Sequence, residues 1–374
     1  MIPGPGYAAF GEAERANAED VLRYWQLAVR AHSDPLGEDT HARRFEAEAA
    51  RVLGSRYCVS VASAGAALLT GLAALDLGPG DEIIVPGYLP TPALAAIACR
   101  GAVPVFAEID QSLTLDPADA RAKITPKTRA VLAAHMLGAP CDLAALAEIA
   151  AQHDLYLLEE VSQACGGTYR GCALGTVGQI GVFSLDVFGV ITGGGGGFLL
   201  TNEYRLLQRA RRRQDDEGED VLVGLDLGMN EFTAAVAHAQ LGKLDAILAR
   251  TRQLRAQLEA LLPARPGMCR RLLHDPSGEC ASVLVYLFDD AETADAVAAG
   301  LGSRTLRHAR KRSSPPPSAA LPRTEGLLAR SVAITVGVSD RGFGAVFGVN
   351  TFSGSDQVEA VADKFRTRVA QVLD

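Results

Sequence analysis

The segment from Tyr57 to Glu160 alternates short apolar runs with helical patterns, and this alternation leaves few folds open to the chain. Apolar and β-branched runs bounded by turn residues predict strands, and longer runs of small apolar residues between them predict helices. The predicted strands are Tyr57–Ala62, Glu82–Pro86, Val103–Ile109, Ala130–His135 and Leu155–Glu160. Strands that alternate with helices in this way favour an α/β fold, in which helices cover both faces of a mostly parallel sheet.

The second part of the chain predicts a smaller α/β domain. Ala234–Leu262 reads as one long helix that leads from the first domain into the second. The elements predicted after it are strands at Ser282–Phe288 and Val332–Val338 and helices at Ala291–Gly300 and Asp356–Leu373. Because 374 residues are enough for two hydrophobic cores, we predict a large domain over residues 1–240 and a small domain over residues 241–374.

Charge and cysteine content exclude several classes of protein. The formal net charge of −8 argues against nucleic acid or an anionic membrane as the partner. The seven cysteines are odd in number and form no Cys-x-x-Cys pair, so the sequence predicts neither a disulfide framework nor a zinc site. Residues 1–10 lack the pattern of a secretory signal, and no apolar stretch is long enough to span a bilayer. We therefore expect a cytoplasmic protein that acts on a small molecule.

Four polar residues follow predicted strands of the first domain. Ligands of doubly wound sheets bind at the carboxyl ends of the strands. Ser63, Tyr88, His135 and Glu160 lie at such ends and are candidates to share one crevice. The sequence predicts a binding site at this edge of the sheet.

Three local patterns could carry chemistry there. The turn Ser63-Ala64-Gly65 stands between a strand and a helix, where backbone N–H groups can hold a phosphate, although such turns also serve packing alone. Glu159-Glu160, followed by Ser162, brings a carboxylate to the crevice or forms a solvated rim. The run Gly193–Gly197 suits a backbone packed against a ligand, or else a linker.

Longer motifs resemble the DegT/DnrJ family of sugar aminotransferases, which use pyridoxal phosphate (PLP) on the type I aminotransferase fold. The resemblance runs from about Arg43 to Leu262 and more loosely to the C-terminus. Its best stretches include GPGDEIIVP at Gly78–Pro86, LEEVSQACGG at Leu158–Gly167 and FSLDVFGVITGGGGG at Phe183–Gly197. The resemblance implies the type I fold, a large domain with a mostly parallel sheet and a smaller C-terminal domain. It also implies a homodimer.

The resemblance places the family's reactive lysine on Gly189. The family pattern around that lysine matches this sequence at Phe183, Ser184, Ile191 and Thr192 without a gap, and no lysine occurs between residues 127 and 243. In the family the lysine binds the cofactor covalently and moves the substrate proton. Glycine offers neither a nucleophile nor a base, so we expect no ordinary aminotransferase activity.

Other positions of the implied cofactor site differ from the family pattern. Glu160 stands where the family sets an aspartate against the pyridine nitrogen, and Asp226 stands where it takes an asparagine from the neighbouring subunit. Pro90 replaces the usual stacking aromatic, with Tyr88 close by. The positions that would contact PLP or the related pyridoxamine phosphate (PMP) are Ser63, Gly65, Gln163, Ser184 and Gly189. The resemblance therefore leaves binding of either cofactor doubtful.

Three functions remain open. The first is a repurposed biosynthetic enzyme of sugar or specialised-metabolite (antibiotic) metabolism, in which acid–base groups in the old cofactor cleft replace PLP. Its candidate groups are Glu160, Asp186, Asp226, His135 and Tyr88, although the acids could equally form an ion-paired rim with arginines. The second is an enzyme similar to PMP-dependent sugar dehydratases, without a covalent anchor. The third is a non-catalytic partner of an active paralogue.

Overall fold

A computed structural model describes residues 4–24, 40–212, 225–262, 264–308, 320–338 and 346–374 of the chain. Three further expectations from the sequence lie wholly or mainly outside these residues. They are the end of a first helix at residues 25–31, an acidic turn at residues 215–220 and most of a basic loop at residues 304–322.

The described residues form thirteen strands and thirteen α-helices. The strands are β1 Tyr57–Val61, β2 Glu82–Pro86, β3 Val103–Ala107, β4 Thr128–Ala134, β5 Tyr156–Glu160, β6 Thr168–Tyr169, β7 Cys172–Ala173, β8 Ile180–Ser184, β9 Gly197–Thr201, β10 Met268–Arg270, β11 Val283–Phe288, β12 Ser331–Val336 and β13 Gly348–Val349. The helices are α1 Pro5–Ala8, α2 Glu12–Tyr24, α3 His41–Val52, α4 Ala64–Ala74, α5 Thr91–Cys99, α6 Pro117–Ala122, α7 Leu143–Gln152, α8 Tyr204–Arg212, α9 Glu231–Leu241, α10 Leu244–Leu261, α11 Ala291–Gly300, α12 Pro322–Ala329 and α13 Ser355–Leu373.

Seven strands form the main sheet in the order β1-β9-β8-β5-β4-β2-β3. The pairs from β8 to β3 are parallel, whereas β9 runs antiparallel to both of its neighbours. The mostly parallel α/β sheet predicted from the sequence is therefore confirmed. The carboxyl ends of β4, β5 and β8 meet at one edge of the sheet, where the candidate site lies.

Helices cover both faces of this sheet and divide its core into two layers. Leu158 of β5 packs in the layer that contains α4 and α5, and Leu157 packs in the layer that contains α3, α7 and α9. The division follows from the alternation of side chains along a strand. Glu160 therefore lies on the α4–α5 face, and Glu159 lies on the opposite face.

A second sheet, in the order β10-β11-β12-β13, builds the C-terminal part of the chain. A third hydrophobic core of the chain includes residues of this sheet and of α10, α11 and α13. In this core the rings of Tyr286 and Phe365 are in contact, with 5.2 Å between their centroids. The boundary between residues 240 and 241 stays a prediction.

The helix predicted over Ala234–Leu262 is two helices, so this prediction is wrong in one respect. The helix α9 ends at Leu241 and α10 begins at Leu244. At the break, the Lys243 ammonium donates to the Glu14 carboxylate at 2.6 Å and to the Ala9 carbonyl oxygen at 2.7 Å. These contacts fasten the N-terminal segment to the break between the helices.

Candidate functional site

The cleft at the edge of the main sheet lies between β5, β8 and the N-terminal ends of α4 and α5. It has a volume of about 10 Å³, which is room for about one water molecule. Its walls are Ala64, Leu68, Pro90, Pro92, Ala93, Glu160, Ser162 and Val182. Glu160 is the one ionisable side chain among these lining residues, and six of the eight are apolar.

Glu160 lies at the end of β5, and its side chain is 4% exposed. Its Oε1 accepts a hydrogen bond from the Ser162 backbone N–H at 3.2 Å, whereas Oε2 has no hydrogen-bond partner. Burial raises the pKa of Glu160 to about 7, and the neighbouring Asp186 adds to this rise. The Ser162 hydroxyl and backbone amide, and His135 across the sheet, lower the pKa but do not outweigh burial. The carboxyl group is thus close to half ionised at neutral pH.

Ser162 supplies the second polar group of the cleft. Its hydroxyl is buried and interacts with the Glu160 carboxylate, whose pKa it lowers. Buried polar groups in proteins are almost always paired, so a buried carboxylate with a single serine as its neighbouring donor indicates a surface shaped for a ligand. Sequence reasoning left Ser162 out of the candidate residues, although its spacing from Glu160 in Glu160-Val161-Ser162 was a usable signal.

The predicted phosphate turn forms as expected at the start of α4. The Ser63 side chain accepts a hydrogen bond from the Ala66 backbone N–H at 3.1 Å and so caps the helix. Gly65 is half-buried in the first turn. Ser184, at the end of β8, accepts from the Asp186 backbone N–H at 3.2 Å.

Gly189 lies in the loop after β8, and its surroundings leave no room for a side chain. A Cβ atom at this position would stand 2.5 Å from the Ile191 carbonyl oxygen, a distance that requires the backbone to shift. The N-terminal segment also contacts this loop, because the Gly6 backbone N–H donates to the Gly189 carbonyl oxygen at 3.4 Å. A Cβ at Gly4 would come within 2.6 Å of Phe188.

The prediction that His135 shares the crevice with Glu160 is wrong. His135 is fully buried on the opposite face of the sheet. Its Nε2 bonds Glu159 at 3.1 Å, and its Nδ1 accepts from the Cys141 backbone N–H at 3.0 Å. Since both ring nitrogens are engaged, His135 holds the loop after β4 in place. It does not offer a proton to the cleft.

Tyr88 lies on the same side of the sheet as Glu160 but does not line the cleft. It is fully buried in the core, close to the guanidinium of Arg271. The Arg271 side chain donates to the carbonyl oxygens of Met136 and Leu137 at 3.2 and 2.8 Å and pairs with Glu279. This buried arginine, which the sequence did not single out, ties the C-terminal part of the chain to the loop after β4.

The three remaining candidates are placed differently from one another. The Gln163 side-chain oxygen accepts from the Leu137 backbone N–H at 2.7 Å and supports the loop behind the cleft. Asp186 is exposed and near enough to raise the pKa of Glu160. Asp226 is exposed with a positive φ of 45°, next to the end of β1. Within the described residues, no contact joins Asp226 to Glu160.

These residues do not fit PLP held as the resemblance implies. Gly189 has no amine, and the Ile191 carbonyl oxygen fills the space that a side chain there would need. The cleft, at about 10 Å³, is far smaller than the roughly 300–1,000 Å³ of typical ligand pockets. Glu160 is one methylene longer than the aspartate it stands for, and the carboxylate of Asp226 would repel a phosphate.

The chain is similar to known proteins over most of its length. The family model described as "DegT/DnrJ/EryC1/StrS aminotransferase family" matches residues 26–307. An L-glutamine:2-deoxy-scyllo-inosose aminotransferase from Streptoalloteichus tenebrarius is 38% identical over 192 residues, which are 51% of this chain and 43% of that protein. The enzyme of the same name from Streptomyces kanamyceticus is 33% identical over 310 residues, 75% of this chain and 71% of that protein. The matched segment thus spans less than half of the first relative's length.

Among solved structures, the aminotransferase TlmJ from Streptoalloteichus hindustanus superposes with a TM-score of 0.82 at 26% identity. The superposition covers 99% of each chain. The type I aminotransferase fold predicted from the motifs is therefore confirmed. Within the described residues, no helix is long and apolar enough to cross a membrane.

Proposed function

The chain belongs to the DegT/DnrJ/EryC1/StrS aminotransferase family, and on that premise we propose that it is a member that works without PLP. In this proposal it is a biosynthetic enzyme that acts on a small polar ring compound, such as a sugar or a cyclitol. Glu160 transfers a proton from one atom of the substrate to another. The observation that supports it most is the Glu160 carboxylate, buried with an unpaired oxygen in a cleft that lacks an amine.

The chemistry follows from the state of the carboxyl group. A general acid or base works best when its pKa lies near the working pH, and burial raises the pKa of Glu160 to about 7. In the ionised form, Oε2 takes a proton from a substrate carbon or hydroxyl group, and the protonated carboxyl group returns it to a neighbouring atom. The Ser162 hydroxyl orients the substrate, and the apolar walls keep water away from the reacting atoms.

The names of the matched relatives support the substrate class. Two of them are aminotransferases of 2-deoxy-scyllo-inosose, a six-membered carbocycle with hydroxyl groups.

The PMP-dependent alternative has less support. An enzyme of that class would need a base at position 189, where this chain has glycine without space for a side chain. No specific contact in the described residues favours the third alternative, a non-catalytic partner.

Turnover without cofactor tests the proposal. The purified chain, without added PLP or amino donor, is incubated with a panel of keto-cyclitols and nucleotide-linked sugars. Products are separated by liquid chromatography and identified by NMR, because a proton transfer within the substrate leaves its mass unchanged. We expect conversion of at least one single-ring compound, no conversion by Glu160→Gln and full conversion by Glu203→Gln. Glu203 is an exposed carboxylate at the start of α8 and controls for the change in charge. Activity that requires PLP, or equal activity in Glu160→Gln, would contradict the proposal.

We also propose a homodimer, since the family resemblance assigns the segment around Asp226 to the neighbouring pocket. Leu225, beside it, is an apolar side chain that is 54% exposed in the single chain, as expected for a surface that a second subunit covers. Sedimentation at micromolar concentration should give the mass of two chains. A monomer at that concentration would contradict this.

A further inference from the structure

The loop after β4 contains a residue in a strained backbone conformation. Leu137 has φ 55° and ψ 36°, in the left-handed region that residues other than glycine rarely adopt. Its side chain is buried, so the conformation does not belong to a free surface turn. Such a conformation persists only where the surrounding structure holds it, and it is found most often at functional sites. The contacts of Leu137 with its neighbours must therefore compensate the strain.

Two side chains from different parts of the chain hold the backbone of Leu137. On one side, its N–H donates to the side-chain oxygen of Gln163 at 2.7 Å. On the other side, its carbonyl oxygen accepts from the Arg271 guanidinium at 2.8 Å. The same guanidinium donates to the Met136 carbonyl oxygen at 3.2 Å. Both backbone polar groups of the strained residue are thus bonded, one to a side chain next to the cleft and one to a side chain of the C-terminal part.

Arg271 is itself held in place by the second sheet. It follows β10 directly, and its backbone N–H donates to the Val285 carbonyl oxygen of β11 at 3.1 Å. Its guanidinium pairs with Glu279, which also pairs with Arg255 of α10. The Arg271 side chain is buried, and a buried charge needs close partners to compensate for its lost hydration. Arg271 and the carbonyl oxygens of the loop therefore stabilise each other.

The loop after β4 is bonded to both ends of the segment Glu160–Gln163. The His135 backbone N–H donates to the Glu160 carbonyl oxygen at 3.0 Å, and the Leu137 N–H bonds Gln163. Between these two bonds lies the backbone N–H of Ser162 that donates to the Glu160 carboxylate. We propose that Arg271 is a positioning residue for Glu160. It holds the loop at Leu137, and the loop holds the segment that carries the carboxyl group.

This proposal rests on the proposed function, because it takes Glu160 as the acid–base group of the enzyme. The walls of the cleft all lie between residues 64 and 182, so Arg271 acts on the cleft without lining it. What the proposal adds is that the C-terminal part of the chain sets the geometry of the acid.

A second contact between the same two parts of the chain provides a control. His274 bonds Asp110 at 3.1 Å and so joins the segment after β10 to the loop after β3. No described hydrogen bond joins His274 to Leu137 or Gln163. Loss of the His274 contact should weaken the attachment of the C-terminal part without moving Glu160.

The titration of Glu160 reports the position of its carboxyl group. Burial raises the pKa to about 7, and Asp186 acts in the same direction, whereas Ser162 and His135 lower the pKa. A looser segment Glu160–Gln163 would admit water to the carboxyl group and bring its pKa down towards the ordinary value. Arg271 is not among the groups that shift this pKa, so a change at Arg271 reaches Glu160 through the position of the segment.

NMR of the full chain, isotope-labelled at the glutamate carboxyl carbons, tests the proposal. The Glu160 signal is the one that Glu160→Gln lacks, and in the unmodified chain its midpoint should lie near pH 7. Arg271→Lys keeps the charge but loses the planar fork that bonds two carbonyl oxygens and Glu279. We expect this variant to lower the midpoint by about one pH unit.

Two further variants separate positioning from attachment. Gln163→Ala removes the other hold on Leu137 and should lower the midpoint in the same direction. His274→Gln removes the contact with Asp110 and should leave the midpoint unchanged. The pH profile of PLP-free turnover should move together with the midpoint in each variant.

An unchanged midpoint in Arg271→Lys or in Gln163→Ala would overturn the proposal, and so would an equal shift in His274→Gln. If Arg271→Lys does not fold, Gln163→Ala decides alone. The positioning role and the proposed function can fail separately. Unchanged midpoints, with turnover that still depends on Glu160, would remove only the positioning role. Shifted midpoints, with turnover that ignores Glu160, would remove only the proposed function.

Discussion

Glu159 and Glu160 are neighbours in one strand, yet the two faces of the sheet treat them in opposite ways. The Glu159 carboxylate accepts hydrogen bonds from the backbone N–H groups of Gly175, Val177 and Gly178, each at 2.8 Å. It also bonds Nε2 of His135. The Glu160 carboxylate accepts one backbone hydrogen bond and leaves an oxygen unpaired.

The difference separates a structural acid from a functional one. A carboxylate surrounded by hydrogen-bond donors stabilises the fold that provides them, because each charge-assisted hydrogen bond adds to the free energy of unfolding. A carboxylate left without donors in a cleft destabilises the fold when it is ionised, and such conflicts are expected at functional sites. Exposure alone would not have told the two apart, since both side chains are buried.

Removal of the structural acid should have the largest effect. Glu159→Ala leaves three backbone N–H groups and the His135 ring without their acceptor. Loss of one partner from a buried charged group destabilises by about 3–5 kcal/mol, and we expect a loss in this range. Urea denaturation measures it, with Glu160→Ala as the matched change on the other face. An equal loss of stability in both variants would contradict the distinction between a structural Glu159 and a functional Glu160.

The functional acid should show the opposite sign and depend on pH. The pKa of Glu160 is about 7 in the folded chain, against an ordinary value of 4.5, so the folded chain holds the proton more tightly. This contribution to stability is complete below pH 4.5 and is lost as the pH rises through 7. The difference corresponds to about 3 kcal/mol.

Glu160→Gln removes this loss. Relative to the unmodified chain, the variant should therefore gain stability between pH 5 and pH 8, by up to about 3 kcal/mol. Urea denaturation at a series of pH values measures the gain. A constant difference across the series would mean that burial does not raise the pKa.

The loop that borders the functional face should resist any side chain at position 189. Gly189→Ala places a Cβ 2.5 Å from the Ile191 carbonyl oxygen, and such overpacking costs about 1–3 kcal/mol. Gly195→Ala is the matched control, because a Cβ there meets nothing within 4 Å. The control should stay within about 0.5 kcal/mol of the unmodified chain in thermal denaturation. Equal stability of the two variants would show that the loop yields freely.

The contact between a side chain at position 189 and the Ile191 carbonyl oxygen also affects a lysine placed at position 189. Gly189→Lys should give no aldimine absorbance with PLP and no borohydride-fixed adduct. The loop must first move, and the acids near the cleft would keep the amine protonated. A specific reduced adduct at position 189 would contradict this.

Two serines give the smallest effects and sharpen the comparison within one face. The Ser63 hydroxyl caps α4, so Ser63→Ala should lose about 1 kcal/mol. The Ser162 hydroxyl interacts with the Glu160 carboxylate and caps no helix, so Ser162→Ala should change stability by less than about 0.5 kcal/mol. A larger loss at Ser162 than at Ser63 in chemical denaturation would assign Ser162 to the fold.

The sequence predicted the sheet because periodicity and turn residues are local signals. It also predicted that the residues at strand ends would lie near one another. It placed His135 on the wrong face because a shared edge does not mean a shared side. In the parallel pairing of β4 with β5, Ala133 lies beside Glu159 and Ala134 beside Glu160. His135 therefore follows the alternation to the Glu159 side.

Other features of the site depend on contacts that no local pattern encodes. The close approach of Ile191 to Gly189 arises from the path of the loop. The N-terminal turn contacts the same loop, although the two segments are far apart in the sequence. The burial of Glu160 depends on where α5 lies, with Pro90 and Pro92 as walls. The sequence showed which residue types could form the site, but it did not show which of them would be buried.

The carbonyl oxygen beside Gly189 also limits how this position can change by mutation. Glycine codons begin with GG and lysine codons with AA, so no single base change converts one into the other. Every first coding change on the way gives arginine, serine, aspartate or glutamate, and each would bring a Cβ to 2.5 Å from the Ile191 oxygen. Every step towards lysine thus meets the same obstacle, and a lineage with this loop keeps its glycine until the backbone around Ile191 has changed.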